Sequence, residues 1–83
     1  MKIEITTHAH QQIKKLNPII RRGIRQTLKE LGQNPYIGKP LSDELEGYWS
    51  VAHFRYRVVY QFDQKYIVIF AVEHRSTVYK SLV

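Results

Sequence analysis

Arg57, His74, Arg75 and Tyr79 are the side chains of this sequence whose types and spacing best suit chemistry. A guanidinium binds phosphate through paired donors, a tyrosine stacks on a base, and a histidine moves protons near neutral pH. His74, Arg75 and Tyr79 fall close together, with Lys80 directly behind. Together the four compose a phosphate-binding or RNA-cleaving surface. Taken alone, Arg57 is equally a surface arginine paired with a loop acid. Other chemistries have no residues to support them. The chain has no cysteine, which excludes thiolate nucleophiles, disulfides and zinc–thiolate sites. His8 and His10 are two apart at a helix start and point in different directions. His53 and His74 lack an acid at ligand spacing other than Glu73, whose side chain faces the other way. No metal site and no cofactor is expected.

These residues need a scaffold, and its pattern is readable. Residues 2–6 alternate, with Ile3 and Ile5 on one side, as in a short half-buried strand. Thr6 or Thr7 can cap a first helix carrying Ala9, Ile13 and Leu16. Asn17-Pro18 restarts the chain as a second helix, with Ile20, Ile24, Thr27, Leu28 and Leu31 at helical spacing. Gly23 inside it costs helix propensity and predicts a close packing contact. Residues 36–47 read as loop. The period then changes to two: Trp49, Val51, Tyr56, Val58 and Tyr60 form an apolar face for the helices, with Trp49 a core residue. Ser50, Ala52, Arg57, Val59 and Gln61 point the opposite way, onto a face expected to be free. A turn at 63–65 leads to a strand apolar on both sides, hence central. The pattern predicts an α+β fold: an N-terminal strand and a helical hairpin packed on one face of a small, mainly antiparallel sheet.

Eighty-three residues allow one core, so residues 1–83 are read as a single domain. The N-terminus has no signal-peptide core and no apolar run approaches a bilayer's thickness, so a cytoplasmic, membrane-free protein is expected. Thirteen Lys and Arg against seven Asp and Glu give a net charge of +6, which draws a polyanion or an acidic protein segment. Arg21, Arg25 and Lys29 make a stripe on the flank of the second helix opposite its apolar face. It is read as a binding surface or a solvated helix face.

The ordered set Gly38-Lys39-x-Leu41, Leu45-x-Gly47-x-Trp49-Ser50, Tyr56-Arg57-Val58-Val59-Tyr60 and Val72-x-His74-Arg75-x-x-Val78-Tyr79 resembles the RelE/ParE superfamily of toxins from type II toxin–antitoxin systems. The resemblance implies a toxin with a cognate acidic antitoxin, in a toxin–antitoxin hetero-oligomer. RelE-like members are ribosome-dependent, metal-independent endoribonucleases in which the message's 2′-hydroxyl attacks the adjacent phosphate. ParE-like members inhibit DNA gyrase instead. On the RelE pattern Arg57 binds phosphate, Arg75 stabilises the transition state, Tyr79 orients or deprotonates the 2′-hydroxyl, and His74 is available as acid or base. RelE-type toxins usually carry basic residues on the preceding strand, where this chain has Tyr48, Ser50 and Ala52. The departure implies that His53, Arg55 and His74 substitute in a ribosome and mRNA site, that this member is a weak nuclease, or that it acts on a different target, DNA gyrase being the alternative.

Overall fold

A computed structural model describes residues 1–82. The chain runs β1 (Lys2–Ile5), α1 (Thr7–Lys14), α2 (Pro18–Gln33), β2 (Lys39–Pro40), β3 (Trp49–His53), β4 (Tyr56–Phe62) and β5 (Tyr66–His74). The sheet order is β1-β5-β4-β3-β2. β1 lies parallel to β5, and every other pairing is antiparallel. The fold is α+β, with both helices on one face of a five-stranded mixed sheet.

Local chemistry starts and stops the helices. The Thr6 hydroxyl accepts from Ala9 N at 3.1 Å, and the Asn17 side chain accepts from Ile20 N at 2.9 Å. Each supplies an oxygen to a first-turn N–H that has no helical partner. Pro18 at the first helical position loses a donor that had none either. Arg21 joins the two helices: its Nη2 donates to Leu16 O at 2.7 Å and Lys14 O at 3.3 Å, placing a cation at the negative end of α1. Ile13, Ile24, Leu28 and Leu31 then bury against Val58, Tyr60, Ile67, Ile69 and Val72. Trp49 joins this side half-buried, edge-on to Phe62 at 5.1 Å and to Tyr36 at 5.6 Å.

Two expectations change. Residues 36–47 are more ordered than a loop, containing 3-10 turns at Pro35–Ile37 and Asp43–Leu45 and the short strand β2. The cause is Tyr60, whose fully buried hydroxyl donates to Pro35 O at 2.6 Å and accepts from Gly38 N at 3.2 Å. Glycine is required there for close approach. A Cβ on Gly38 would lie 2.4 Å from the Tyr60 hydroxyl and 2.7 Å from Ser50 O. The outer face of the sheet is not free either. Val59, Ala71 and Val78 are fully buried on it, with Leu41, Tyr48, Tyr79 and Leu82 packed around them. Strand β5 is apolar on both sides, and the chain after it folds back to cover the outer one. Val78 N donates to His74 O at 3.0 Å, and a 3-10 turn at Lys80–Leu82 follows.

Tyr60→Phe tests the tie between loop and sheet. It strands Pro35 O and Gly38 N, which is expected to cost about 1–3 kcal/mol in thermal or urea unfolding. Burial pushes the Tyr60 hydroxyl above its ordinary value of 10.0, with the Gly38 N–H pulling partly the other way. A raised acid binds its proton more tightly folded than unfolded. Its contribution is therefore intact below pH 10 and lost as pH rises through the folded value. Wild type should lose stability above pH 10 more steeply than Tyr60→Phe.

Candidate functional site

Alternation along β4 sets the site. With Tyr56, Val58 and Tyr60 turned to the helices, Arg57 projects from the outer face, paired in register with Ala52 on β3 and Glu73 on β5. Next to it lies a cleft of about 460 Å³, walled by Gly38, Lys39 and Leu41, floored by Ser50 and Ala52, and closed by Arg57 and Tyr79. Lys39 is there because β2 pairs with β3 at Lys39 and Ser50. Tyr79 is there because Val78 beside it is anchored in the outer cluster. The Tyr79 hydroxyl donates to Ser50 Oγ at 3.4 Å. Among the described residues no acid lines the cleft. Two cations and a phenol thus face an otherwise largely apolar hollow, which suits an anion with an adjacent hydroxyl.

The remaining candidates lie elsewhere. Arg57 is half-buried, and its Nη1 donates to Tyr56 O at 3.2 Å and Phe54 O at 3.3 Å, at the tip of the β3–β4 hairpin. Arg55 and Arg75 are exposed at that same tip, where Arg75 N donates to Arg55 O at 2.7 Å. Arg75 and Arg55 therefore border the site without lining the cleft. His53 and His74 pair in register with Tyr56, on the helix side of the sheet. The His74 ring sits edge-on to Tyr56 at 5.6 Å, with Nδ1 2.8 Å from Ser76 Oγ. His53 lies over α2 at the Gly23 position, where an added Cβ would stand 2.0 Å from its ring. That is the close contact expected of Gly23. Neither histidine reaches the cleft. Of the helix stripe, Arg21 is occupied by the α1 carbonyls, whereas Arg25 and Lys29 are exposed.

Sequence reasoning missed Lys39 and gave Ser50 no role. Lys39 sat in a segment read as loop, and only its place beside Gly38 hinted that it was held in position. Among the described residues, no group of three His, Asp or Glu side chains could hold a metal ion.

Comparison with known proteins gives the ancestry. Residues 3–79 match the family model of the ParE toxin of the type II toxin–antitoxin system parDE. The chain belongs to the RelE/ParE toxin superfamily. It is 33% identical over 82 residues to Toxin RelG of Mycobacterium tuberculosis, an alignment covering 94% of each chain. It superposes with a TM-score of 0.82 on a chain of the toxin–antitoxin complex RelBE2 from the same species, at 33% identity, covering 89% of this toxin and 96% of that chain. The intact Escherichia coli RelBE complex shares the fold, with a TM-score of 0.75 at 18% identity over 88% of this toxin and 94% of that chain. The matched family span takes in Arg57, Arg75 and, of the segment that roofs the outer face, Val78 and Tyr79.

Val78 is the anchor of that segment. Val78→Ala removes two methyl groups from a fully buried position and is expected to cost about 2 kcal/mol. The loss should appear as a lower thermal midpoint together with reduced toxicity, because Tyr79 is no longer held beside Ser50. Unchanged values for both would show the tail to be dispensable.

Proposed function

We propose that this toxin is a ribosome-dependent, metal-independent endoribonuclease that cleaves mRNA. The observation that carries the reading is the cleft itself, in which Arg57 and Lys39 face Tyr79 across an uncharged floor. In the reaction the 2′-oxygen attacks the adjacent phosphorus as its proton passes to solvent, the bond to the 5′-oxygen breaks, and that oxygen takes up a proton from solvent. The products are a 2′,3′-cyclic phosphate and a 5′-hydroxyl. Arg57 and Lys39 neutralise the charge growing on the nonbridging oxygens, and Tyr79, hydrogen-bonded to Ser50, stands at the 2′-hydroxyl. Arg75 and Arg55 bind the phosphates on either side and add positive field. His74 is left without a role in this chemistry, because its ring is bonded to Ser76 on the helix side of the sheet. From the observed placement, His74→Gln should cleave at close to the wild-type rate.

The likeness to toxin–antitoxin complexes supports a cognate antitoxin as partner. Arg25 and Lys29 favour an acidic segment crossing α2, and charge steering of that kind acts mainly on association rate. No helix among the described residues is long and apolar enough to cross a membrane. We place the protein in the cytoplasm, where the ribosome is.

Primer extension on messages from induced cells tests the activity. Wild type should produce discrete cuts, and Arg57→Ala or Arg75→Ala should lower cleavage by about 10²–10³, the worth of one electrostatic donor. Both variants should stay folded and antitoxin-bound, since neither side chain supports the core. The gyrase alternative draws on the uncharged outer face of β3. Intact messages, a toxic Arg57→Ala protein and inhibited supercoiling in a gyrase assay would establish it instead.

A further inference from the structure

The β3–β4 hairpin carries a residue that the fold does not explain. His53 pairs with Tyr56, leaving Phe54 and Arg55 as a two-residue loop. Phe54 has φ +53, and Arg55 is not among the left-handed residues. A left-handed first position in such a loop is where glycine is the default, and a bulky side chain there is an outlier. The Phe54 side chain gains nothing from burial to offset this, because the residue is 82% exposed. Strain retained together with an exposed aromatic ring marks a position kept for use.

The ring is also held and surrounded in a particular way. It stands edge-on to the His53 imidazole at 4.8 Å, and that imidazole is seated on α2 over Gly23. The ring is thus buttressed on one side and otherwise open to solvent. Arg57 donates to the Phe54 carbonyl at 3.3 Å, and Arg75 N to the Arg55 carbonyl at 2.7 Å. The platform therefore moves with the guanidinium that faces the cleft. An open aromatic ring on a hairpin that also carries Arg55 and Arg57, with the Arg75 backbone tied to it, offers the two elements by which single-stranded nucleic acid is held, base on ring and phosphate on cation. A protein anchor would sit inside an apolar patch; the neighbours of Phe54 in the turn are His53, Arg55, Tyr56 and Arg57.

We propose that Phe54 is a positioning residue on which an unpaired RNA base stacks, next to the nucleotide whose phosphate Arg57 binds. This rests on the nuclease reading above. The stacked base fixes the message's register where it passes the hairpin tip, so that the scissile phosphate meets Arg57 and Lys39.

The test compares message cleavage by purified full-length toxin in a translating extract, followed by primer extension. Phe54→Gly removes the ring and suits the left-handed backbone, so its thermal midpoint should equal or exceed that of wild type. Cleavage by this variant should fall about 5- to 150-fold, the worth of one base–aromatic stack. Phe54→Tyr and Phe54→Trp keep a stacking surface and should restore cleavage, which a merely structural role would not require. A Phe54→Gly protein that cleaves as wild type overturns the proposal and leaves the nuclease reading standing. The same holds if Phe54→Gly cleaves normally but is no longer neutralised by the cognate antitoxin, since Phe54 would then be a protein anchor. If wild type itself makes no cuts, the nuclease reading fails and the proposal fails with it.

Discussion

One hydroxyl group holds the site together from outside it. Tyr60 is buried on the helix side of β4, yet its oxygen binds Pro35 O and Gly38 N, 25 and 22 residues away. Those two bonds fix the chain that leaves α2 onto the sheet. Strand β2 pairs through only two residues, too few to hold a register alone. With Gly38 pinned, Lys39 falls opposite Ser50 and the wall of the cleft exists. The cleft's positive charge thus depends on a neutral side chain that lines no part of it. Burial makes the bond strong and makes its loss costly, because both backbone partners would be left without water.

A second constraint comes from β5. A strand apolar on both sides needs cover on both. The helices cover one side, and the chain after His74 covers the other through Val78 and Leu82. That cover brings Tyr79 back over β3, far from it in sequence. In a domain this small the outer cluster is a modest addition to stability, since only Val59, Ala71 and Val78 are fully buried in it. Its larger consequence is geometric, because the tail that stabilises the sheet also delivers the phenol. Stability and site geometry are therefore coupled at Val78, whereas the Arg57 and Arg75 side chains are not part of either apolar cluster.

Much of this was legible in the residues. Helical spacing marked Ile24, Leu28 and Leu31. Asn17-Pro18 marked the break between helices, and the period of two marked Arg57 as outward and Trp49 as inward. Local rules suffice where the signal is local. The order of residues from Gly38 to Tyr79 then tied Arg57, Arg75 and Tyr79 to a toxin family that the comparisons bear out. What stayed hidden depended on long-range pairing. Nothing near residue 38 announces a bond to Tyr60, so the segment looked like loop and Lys39 went unweighed. The side on which His74 falls follows from its register with Tyr56, which alternation within β5 alone does not supply. Val59 and Val78 each look like ordinary strand or tail residues until the tail folds across the sheet. Phe54 carries no local signal either, because its left-handed backbone is visible only in the structure.

The uncharged β3 outer face takes on a different meaning in this geometry. Coulomb attraction depends on distance and local dielectric, not on the strand a charge comes from. Here the cations stand around the floor instead of on it: Lys39 from β2, Arg57 from β4, and Arg55 with Arg75 at the hairpin tip. Long basic side chains at Ser50 and Ala52 would fill the space those residues now leave open. Their small size is what makes a hollow of about 460 Å³ on an otherwise flat sheet. Ser50 also supplies the oxygen that holds Tyr79, which a lysine at that position could not accept with. Charge on the rim in place of charge on the floor keeps a positive field and, on the proposed reading, would place the anion lower, against the sheet. The phenol, the rim cations and the small floor are therefore one arrangement, and on the proposed reading changing any of them alters where a phosphate would sit.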